Sequence, residues 1–311
     1  MELPGEFVRK VILACPDKGE EWLSDLPQLI TYCETNWNLK MHSPYKLSFN
    51  YVAPATITNG EKVVVKLGLP EEGHQEERLA LRSLGKQGIV QLVDEDPVHR
   101  ILILEKVEPG QMLAELEDDQ QATKVAAEVI DRLIVPAAKQ TALPTTKNRQ
   151  NSLKQICEQN PEGLGPISSD ILIQALDIFT YMNLTIKEYK ILHGDFHHYN
   201  VLKKEDQSWV AIDPKGLIGE TEYDLIQFLL NKLHDHGKFE KIRERINILT
   251  EMLTLNKERL LLWGFCHAVL STAWTVDKQS GQYNKNFYEG IDIFKTMYEN
   301  TFNRSLSEAL M

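Results

Sequence analysis

Apolar side chains recur at helical spacing near the start of the chain. Residues 19–37, GEEWLSDLPQLITYCETNW, place them at Trp22, Leu23, Leu26, Leu29, Ile30 and Cys33. A recurrence every three to four positions predicts an amphipathic helix. Pro27 predicts a bend or a restart within it. We therefore predict a helical extension over residues 1–44.

The pattern changes to strict alternation after residue 44. Residues 45–70, YKLSFNYVAPATITNGEKVVVKLGLP, alternate polar and apolar positions around Asn59-Gly60. Alternation predicts strands, and Asn-Gly favours a hairpin whose two turn residues both take positive φ. Residues 70–88 predict one helix, ended by Gly85 or Gly88, and the runs IVQLV and RILILEKV predict two more strands. Residues 45–107 should form a small strand-rich lobe crossed by one helix.

Beyond residue 107 the pattern is mainly helical. We predict helices over residues 112–142, 150–160, 168–189, 222–235, 239–255, 257–276 and 283–300. The stretch 191–216, ILHGDFHHYNVLKKEDQSWVAIDPKG, interrupts them with short strands and loops. Residues 108–311 are therefore predicted to form a larger helical lobe.

Composition narrows the class of protein. The 311 residues are 42% hydrophobic and 25% charged, as in ordinary globular proteins. The net charge is −11 and no run of lysine and arginine occurs, so the electrostatic footprint of a nucleic-acid binder is missing. The four cysteines stand far apart and predict reduced thiols. No apolar run is long enough for a signal peptide or a membrane span, so we expect a cytoplasmic protein without a membrane partner.

The interrupting stretch carries the chemistry. His193 stands two residues before Asp195, and Asn200 stands five after it. This H-x-D-x-x-x-x-N spacing is that of the kinase catalytic loop, where the aspartate accepts the proton of the substrate hydroxyl and the asparagine binds magnesium. Asp213 follows at a place comparable to that of the second metal-binding aspartate of kinases. The sequence predicts Asp195 as the catalytic base and Asn200 and Asp213 as metal ligands.

The small lobe supplies matching parts. VVVKLG places Lys66 on a strand, as V-A-I-K does in kinases, where the lysine pairs with phosphates. Glu77 lies on the inward face of the next helix and should meet Lys66, with Glu76 as the second choice. LILEKVEPG would form the hinge, where backbone groups from Glu105 to Val107 face an adenine ring.

HGDFHHYNVL, WVAIDPKGLIGETEYDL and LILEKVEPG resemble segments of the aminoglycoside phosphotransferases, specifically the streptomycin-kinase and hydroxyurea-resistance branch. The similarity covers residues 45–280. It implies an α+β, two-lobed protein-kinase-like fold, with a small antiparallel-sheet N-lobe containing one helix and a larger helical C-lobe. It also implies transfer of a γ-phosphate to a hydroxyl of a small cationic acceptor, with a streptomycin-like aminocyclitol as the leading acceptor. ATP, or alternatively GTP, would be the donor and Mg²⁺ the metal, in a monomer or homodimer.

The chain departs from kinases in two places. Its phosphate loop has no G-x-G-x-x-G motif, and LSFNYVA places Ser48, Phe49 and Asn50 nearest the expected turn. The metal aspartate stands in D-P-K instead of D-F-G. Within the large lobe, the resemblance places the acceptor pocket on late helices, where Trp274 and Asp277 would offer an aromatic wall and a carboxylate to a cationic group.

Other interpretations remain open from the sequence. His193 and His197 are spaced for zinc, although the flanking glycine favours a loop in which His193 is a brace. His197 and His198 could contact phosphate or pack. Asp224 fits a T-x-x-D capping box and is left out of the site. A metabolic kinase of another hydroxyl compound and a nucleotide-binding protein without turnover are the alternative functions.

Overall fold

The computed structural model describes residues 3–70, 73–138 and 141–310. The N-terminal lobe contains, in chain order, α1 (Gly5–Ala14), α2 (Gly19–Asn36), β1 (Leu39–Met41), β2 (Tyr51–Ile57), β3 (Lys62–Leu67), α3 (His74–Ser83), β4 (Leu92–Asp96) and β5 (Ile101–Glu105). The strands form one antiparallel sheet in the order β1-β2-β3-β5-β4.

Alternation along the strands gives this sheet two apolar faces. Val63, Val65 and Leu67 on β3 pack with α1 and α2 in one core. Because successive side chains of a strand point to opposite faces, Val64 and Lys66 face the other side, where α3 lies. Leu102 and Leu104 of β5 belong to that second core, which continues into the C-terminal lobe.

The N-terminal extension is built into this lobe. Its α2 is a single helix through Pro27, so the restart considered at that residue is wrong. Pro27 is exposed, and burial of Trp22 and Leu26 against the sheet holds the helix together despite the missing N–H. Strand β1, inside the stretch 1–44, pairs with β2, so the sheet crosses the expected boundary at 44/45.

The hairpin between β2 and β3 forms with a different turn from the expected one. Only Gly60 takes a positive φ, of 89°, and Asn59 does not. The Ile57 N–H donates to the Glu61 carbonyl at 2.8 Å, and the Asn59 side chain accepts from the Glu61 N–H at 2.9 Å. The loop is therefore longer than a two-residue turn, and it needs only one residue with positive φ, which is Gly60.

The C-terminal lobe is mainly helical. Its elements are β6 (Pro109–Met112), α4 (Asp119–Leu133), β7 (Val135–Pro136), α5 (Thr146–Gln159), β8 (Gly163–Leu164), β9 (Ile167–Ser168), α6 (Ser169–Leu184), β10 (Lys190–Leu192), β11 (Val201–Lys204), β12 (Trp209–Ala211), β13 (Leu217–Gly219), α7 (Thr221–Asp224), α8 (Ile226–Leu230), α9 (Lys238–Leu253), α10 (Lys257–Thr275) and α11 (Lys285–Phe302). Helix α10 is buried from Leu260 to Ala273 at the centre of the lobe.

Two predicted helices differ from the observed ones. The helix expected over 112–142 is shorter, because Asp118 caps α4 by accepting from the N–H groups of Gln120 and Gln121. The helix expected over 222–235 is divided into α7 and α8. The predicted segments include a few residues that lie outside the described ones, namely 1–2, 71–72, 139–140 and 311.

Short antiparallel strands support the interrupting stretch. β10 pairs with β13 and β7, and β11 pairs with β12 and β6. The loop after β10 therefore meets the loop after β12: the His193 carbonyl accepts from the N–H groups of Lys215 at 2.8 Å and Gly216 at 3.0 Å. Among the helices of the described ranges, none has the length and apolar character needed to cross a membrane.

Candidate active site

Lys66 joins the two lobes. Its ammonium lies 2.6 Å from the Glu77 carboxylate and also forms an ion pair with Asp213. Burial lowers the pKa of Lys66, but the two carboxylates outweigh burial and raise it, so the lysine is charged. The other candidate, Glu76, instead accepts from the Gly73 N–H at the start of α3, 3.0 Å away.

His193 braces the loop that follows β10. Its Nε2–H donates to the Ile212 carbonyl at 2.9 Å, and Nδ1 accepts from the Asp195 N–H at 3.3 Å. Burial lowers the pKa of His193 to about 4, so the ring is neutral. Because both nitrogens have protein partners, neither is free to bind zinc.

Asp224 anchors the same loop and was missed from the sequence. Its carboxylate accepts from the N–H groups of His193 at 2.8 Å and Gly194 at 2.7 Å. Burial raises the pKa of Asp224 to about 7. The capping interpretation is wrong, because Asp224 ends α7 and its carboxylate points back to the loop. The contact joins residues thirty positions apart, and no local pattern signals it.

Asp195 lies at the front of this braced loop. About a quarter of its side chain is exposed (26%), and its Oδ1 is 3.7 Å from His197 Nε2. Burial raises the pKa of Asp195, while the charges of His197, Lys215 and Arg149 act in the opposite direction. The carboxylate is therefore accessible to a substrate hydroxyl and is held among positive groups.

Asn200 faces Asp195 from the end of the loop. Its amide nitrogen donates to the Asp195 carbonyl at 3.0 Å and lies 3.3 Å from His197 Nε2. The amide oxygen makes no hydrogen bond with the part of the chain that the structure describes. That oxygen is thus available to an external ligand.

Asp213 takes a left-handed backbone conformation, with φ of 57°. Such a conformation is uncommon outside glycine, although aspartate tolerates it better than most residues. Its carboxylate pairs with Lys66 and lies 3.2 Å from Lys215 Nζ. Burial raises the pKa of Asp213, but the two lysines outweigh burial and hold it well below its usual range. Asp213 is therefore ionised.

Asp213 and Asn200 fit a magnesium ion. No group of three or more histidine, cysteine or acidic side chains that could hold a metal occurs within residues 3–70, 73–138 and 141–310. Magnesium is nevertheless usually held by one or two carboxylates together with substrate phosphates. An ionised carboxylate and a free amide oxygen on adjoining loops meet that requirement, with hard oxygen donors.

The two remaining histidines of the motif differ. His197 lies in the site beside Asp195 and Asn200, whereas His198 is buried and stacks on Phe228 with ring centroids 4.0 Å apart. The sequence pattern does not distinguish these two histidines. The difference arises because Phe228 of α8 packs against His198 and not against His197.

The predicted nucleotide contacts lie on the small lobe and at the connection. Ser48 is exposed, whereas Asn50 uses its side-chain oxygen to accept from the Leu69 N–H at 3.1 Å and so fixes the loop to the end of β3. Glu105 forms an ion pair with Lys204 at 2.5 Å across the lobes. The Val107 N–H has no hydrogen-bond partner among the residues described, which leaves a donor at the hinge.

A cleft with a volume of about 1290 Å³ separates α3 from the start of α5, and it is lined in part by Lys215, Arg149 and Trp274. Trp274 is 45% exposed and its indole N–H donates to Ser152 at 3.1 Å. Asp277 does not line the cleft. Its carboxylate accepts from the N–H groups of Gln279 and Ser280 in the turn after α10.

Two lobes, a lysine between two carboxylates and the braced loop that carries Asp195 are features of a protein-kinase-like phosphotransferase that acts on hydroxyl groups. The chain belongs to the aminoglycoside/hydroxyurea antibiotic resistance kinase family, whose model matches residues 45–279. This match and the two-lobed structure confirm the family resemblance and the fold class.

Relatives at low identity agree with this assignment. The streptomycin 6-kinase of Streptomyces griseus is 27% identical over 84% of this chain and 86% of its own length. The hydroxyurea phosphotransferase of Kitasatospora aureofaciens is 26% identical over 89% and 81%, respectively. The choline kinase LicA of Streptococcus pneumoniae has the same fold, with a TM-score of 0.62 at 15% identity over 88% of this chain and 99% of LicA.

Proposed function

We propose that this protein transfers the γ-phosphate of ATP, with Mg²⁺, to a hydroxyl group of a small acceptor, and that Asp195 is the catalytic base. The observation that carries the proposal is the arrangement around Asp213: Lys66 joins it to Glu77 across the lobes, and the His193 carbonyl joins its loop to that of Asp195.

Each residue has a role that follows from its surroundings. Asp195 accepts the proton of the acceptor hydroxyl, and such general-base catalysis contributes a factor of about 10²–10⁴ in rate. Lys66, held by Glu77, contacts the phosphates. The Val107 N–H is a hydrogen-bond donor for the adenine ring, beside Glu105. Ser48 and the loop fixed by Asn50 cover the phosphates.

Asn200 and Asp213 would hold magnesium, which supplies neutralisation of phosphate charge when it is bound. The protein's own contribution is to keep Asp213 ionised and to aim the Asn200 oxygen away from its internal hydrogen bonds. Loss of either ligand should weaken the dependence of nucleotide affinity on magnesium.

The relatives' names make a streptomycin-like aminocyclitol the first acceptor to test. The second candidate function is phosphorylation of another small hydroxyl compound. The charges at the acceptor side favour this second candidate, because Arg149 and Lys215 line the cleft and Asp277 is turned into a loop.

Asp195→Asn is the direct test. The asparagine keeps the size of the side chain but cannot accept the proton, so ATP affinity should change by no more than a few-fold while turnover falls by about 10²–10⁴. Affinity is measured by calorimetry with ATP and magnesium, and turnover by acceptor-dependent ADP release. Unchanged turnover would remove Asp195 from this role.

A further inference from the structure

Arg149 occupies the place where the acceptor is expected. It lies in the first turns of α5 and lines the cleft together with Trp274 and Lys215. Lys215 and Gly216 line the same cleft, and their N–H groups donate to the His193 carbonyl in the loop that carries Asp195. A group bound to Arg149 would therefore lie beside that loop.

The guanidinium of Arg149 is not used by the protein itself. It is partly buried and makes no hydrogen bond or ion pair with any residue in the described ranges. Its one specific contact is with Trp274, whose ring centroid is 5.1 Å from the guanidinium carbon. Ser152 in turn fixes the Trp274 indole. The guanidinium is thus oriented by stacking while its donors remain free.

This stacking also changes what Trp274 can bind. The guanidinium carbon lies 5.1 Å from the ring centroid, so a second cation bound to this ring would be close to a like charge. Guanidinium groups bind carboxylate and phosphate through paired hydrogen bonds in a planar fork. The observed pair is therefore matched to an anion.

Buried polar atoms continue along the same face of α10. His267 and Ser271 precede Trp274 by seven and three residues, which is the spacing of one helical face. They are 6% and 3% exposed, and His267 Nε2 and Ser271 Oγ have no hydrogen-bond partner in the described part of the chain. Buried polar atoms are normally paired, so these two indicate a polar group or a water molecule bound on the face of α10 that carries Trp274.

We propose that Arg149 binds a carboxylate or phosphate group of the acceptor, so that the acceptor of this kinase is a hydroxylated anion and not a polycation. The inference rests on the proposed function and narrows its substrate class. Arg149 positions the anionic group, and Asp195 takes the proton of a hydroxyl elsewhere on the same molecule.

Matched acceptors test the charge preference. ADP release is measured with glycerate and gluconate, with glycerol phosphate, with glycerol and glucose, and with ethanolamine and streptomycin. We expect turnover with an anionic member, and we expect Arg149→Met to raise its KM at least tenfold while Arg149→Lys restores part of the loss. Comparison of the carboxylates with glycerol phosphate shows which of the two anionic groups Arg149 binds. Lys154→Met, which removes an exposed lysine from the same helix, is the control and should behave as the wild type.

A binding measurement makes the test independent of turnover. With saturating ADP and magnesium, the anionic members should raise the melting temperature of the wild type, and this shift should be lost in Arg149→Met. Preferential turnover of streptomycin, unaffected by Arg149→Met, would overturn the inference and leave the proposed function intact. A loss of ATP affinity in Arg149→Met would assign the residue to the nucleotide and overturn it as well. Absence of both turnover and a melting-temperature shift with every anion would also overturn the inference. The proposed function is tested separately, because it requires that turnover of an acceptor is lost in Asp195→Asn.

Discussion

At the scale of single residues, the buried charge group Lys66–Glu77–Asp213 gives the sharpest prediction about stability. Lys66→Met would leave Glu77 buried without a counter-charge and Asp213 with Lys215 alone, which should lower the free energy of unfolding by about 3–5 kcal/mol. Urea titration measures this loss. Lys62→Met, on the same strand, removes an exposed ion pair with Glu108 and should cost less than about 1 kcal/mol. Equal losses in the two variants would contradict the assigned role of Lys66 as the junction between the lobes.

Asp195 carries a prediction about pH. Burial raises its pKa against the lowering effect of nearby positive charges, and a general base works only when ionised. The acidic limb of kcat/KM should therefore lie above the pKa of about 3.9 of an ordinary aspartate, with activity rising as pH increases through the limb. A pH profile whose acidic limb lies at or below the ordinary value would contradict this.

The sequence predicted residues whose roles depend on close spacing, and it missed those whose roles depend on packing. Asp195 and Asn200 share one loop, and the spacing alone placed them together. Lys66 and Glu77 meet because strand alternation and helical periodicity both turn them inward. Asp224 and Arg149 come to the site from α7 and α5, and nothing in their own neighbourhoods indicates it.

At the scale of elements, the loop that carries the proposed base Asp195 depends on α7 through Asp224. Asp224→Ala would leave two buried N–H groups without an acceptor, at a cost of about 1–3 kcal/mol each. Misplacement of the loop by about 1 Å can reduce turnover by about 10²-fold, while the nucleotide contacts of the small lobe remain. We expect kcat to fall far more than ATP affinity.

Glu222→Gln on the same short helix is the matched control. Glu222 accepts from the Asn256 N–H at 3.1 Å, and glutamine keeps an acceptor oxygen. This variant should retain kcat within a few-fold. A similar loss of kcat in both variants would show that α7 matters through its general stability and not through the two hydrogen bonds to the loop.

The accuracy of the predicted elements also has a physical cause. Long amphipathic or apolar helices such as α9 and α10 were found close to their observed bounds, because their periodicity extends over several turns. The predicted helix over 112–142 was too long because strand pairing of β6 and the Asp118 cap compete with helix formation. The chain between Thr221 and Leu230 changes direction to place Asp224 under the loop, which periodicity does not reveal.

At the scale of the whole molecule, buried neutral histidines make the protein sensitive to acid. Burial lowers the pKa of His193 to about 4 and the pKa values of His198 and His267 to about 3. The unfolded chain binds these protons near pH 6.5. Below that pH the unfolded state holds more histidine protons, so the contribution of these histidines to the free energy of unfolding should fall as the pH decreases from about 6.5 towards 4, by up to about 1.4 kcal/mol per pH unit for each histidine. Asp224, whose pKa burial raises to about 7, acts in the opposite direction over this range.

His198→Phe isolates one of these contributions. Both ring nitrogens of His198 lack partners within the described residues, and phenylalanine preserves the stacking on Phe228. The variant should equal or exceed the wild type in stability at pH 7, and its stability should depend less steeply on pH between 6.5 and 4. Urea titrations across this range provide the measurement, with the exposed His234→Gln as the control. An unchanged pH dependence in His198→Phe would contradict the neutral, buried state of His198.

In the proposed function, Asp195 accepts the proton of the small-molecule hydroxyl that receives the γ-phosphate of ATP. The most direct measurement follows radiolabelled γ-phosphate from ATP to the acceptor, with magnesium, in the wild type and in Asp195→Asn at equal nucleotide saturation. We expect label on the acceptor, formed at least about 10²-fold more slowly by the variant. Label found only as inorganic phosphate, or transferred equally fast by Asp195→Asn, would contradict it.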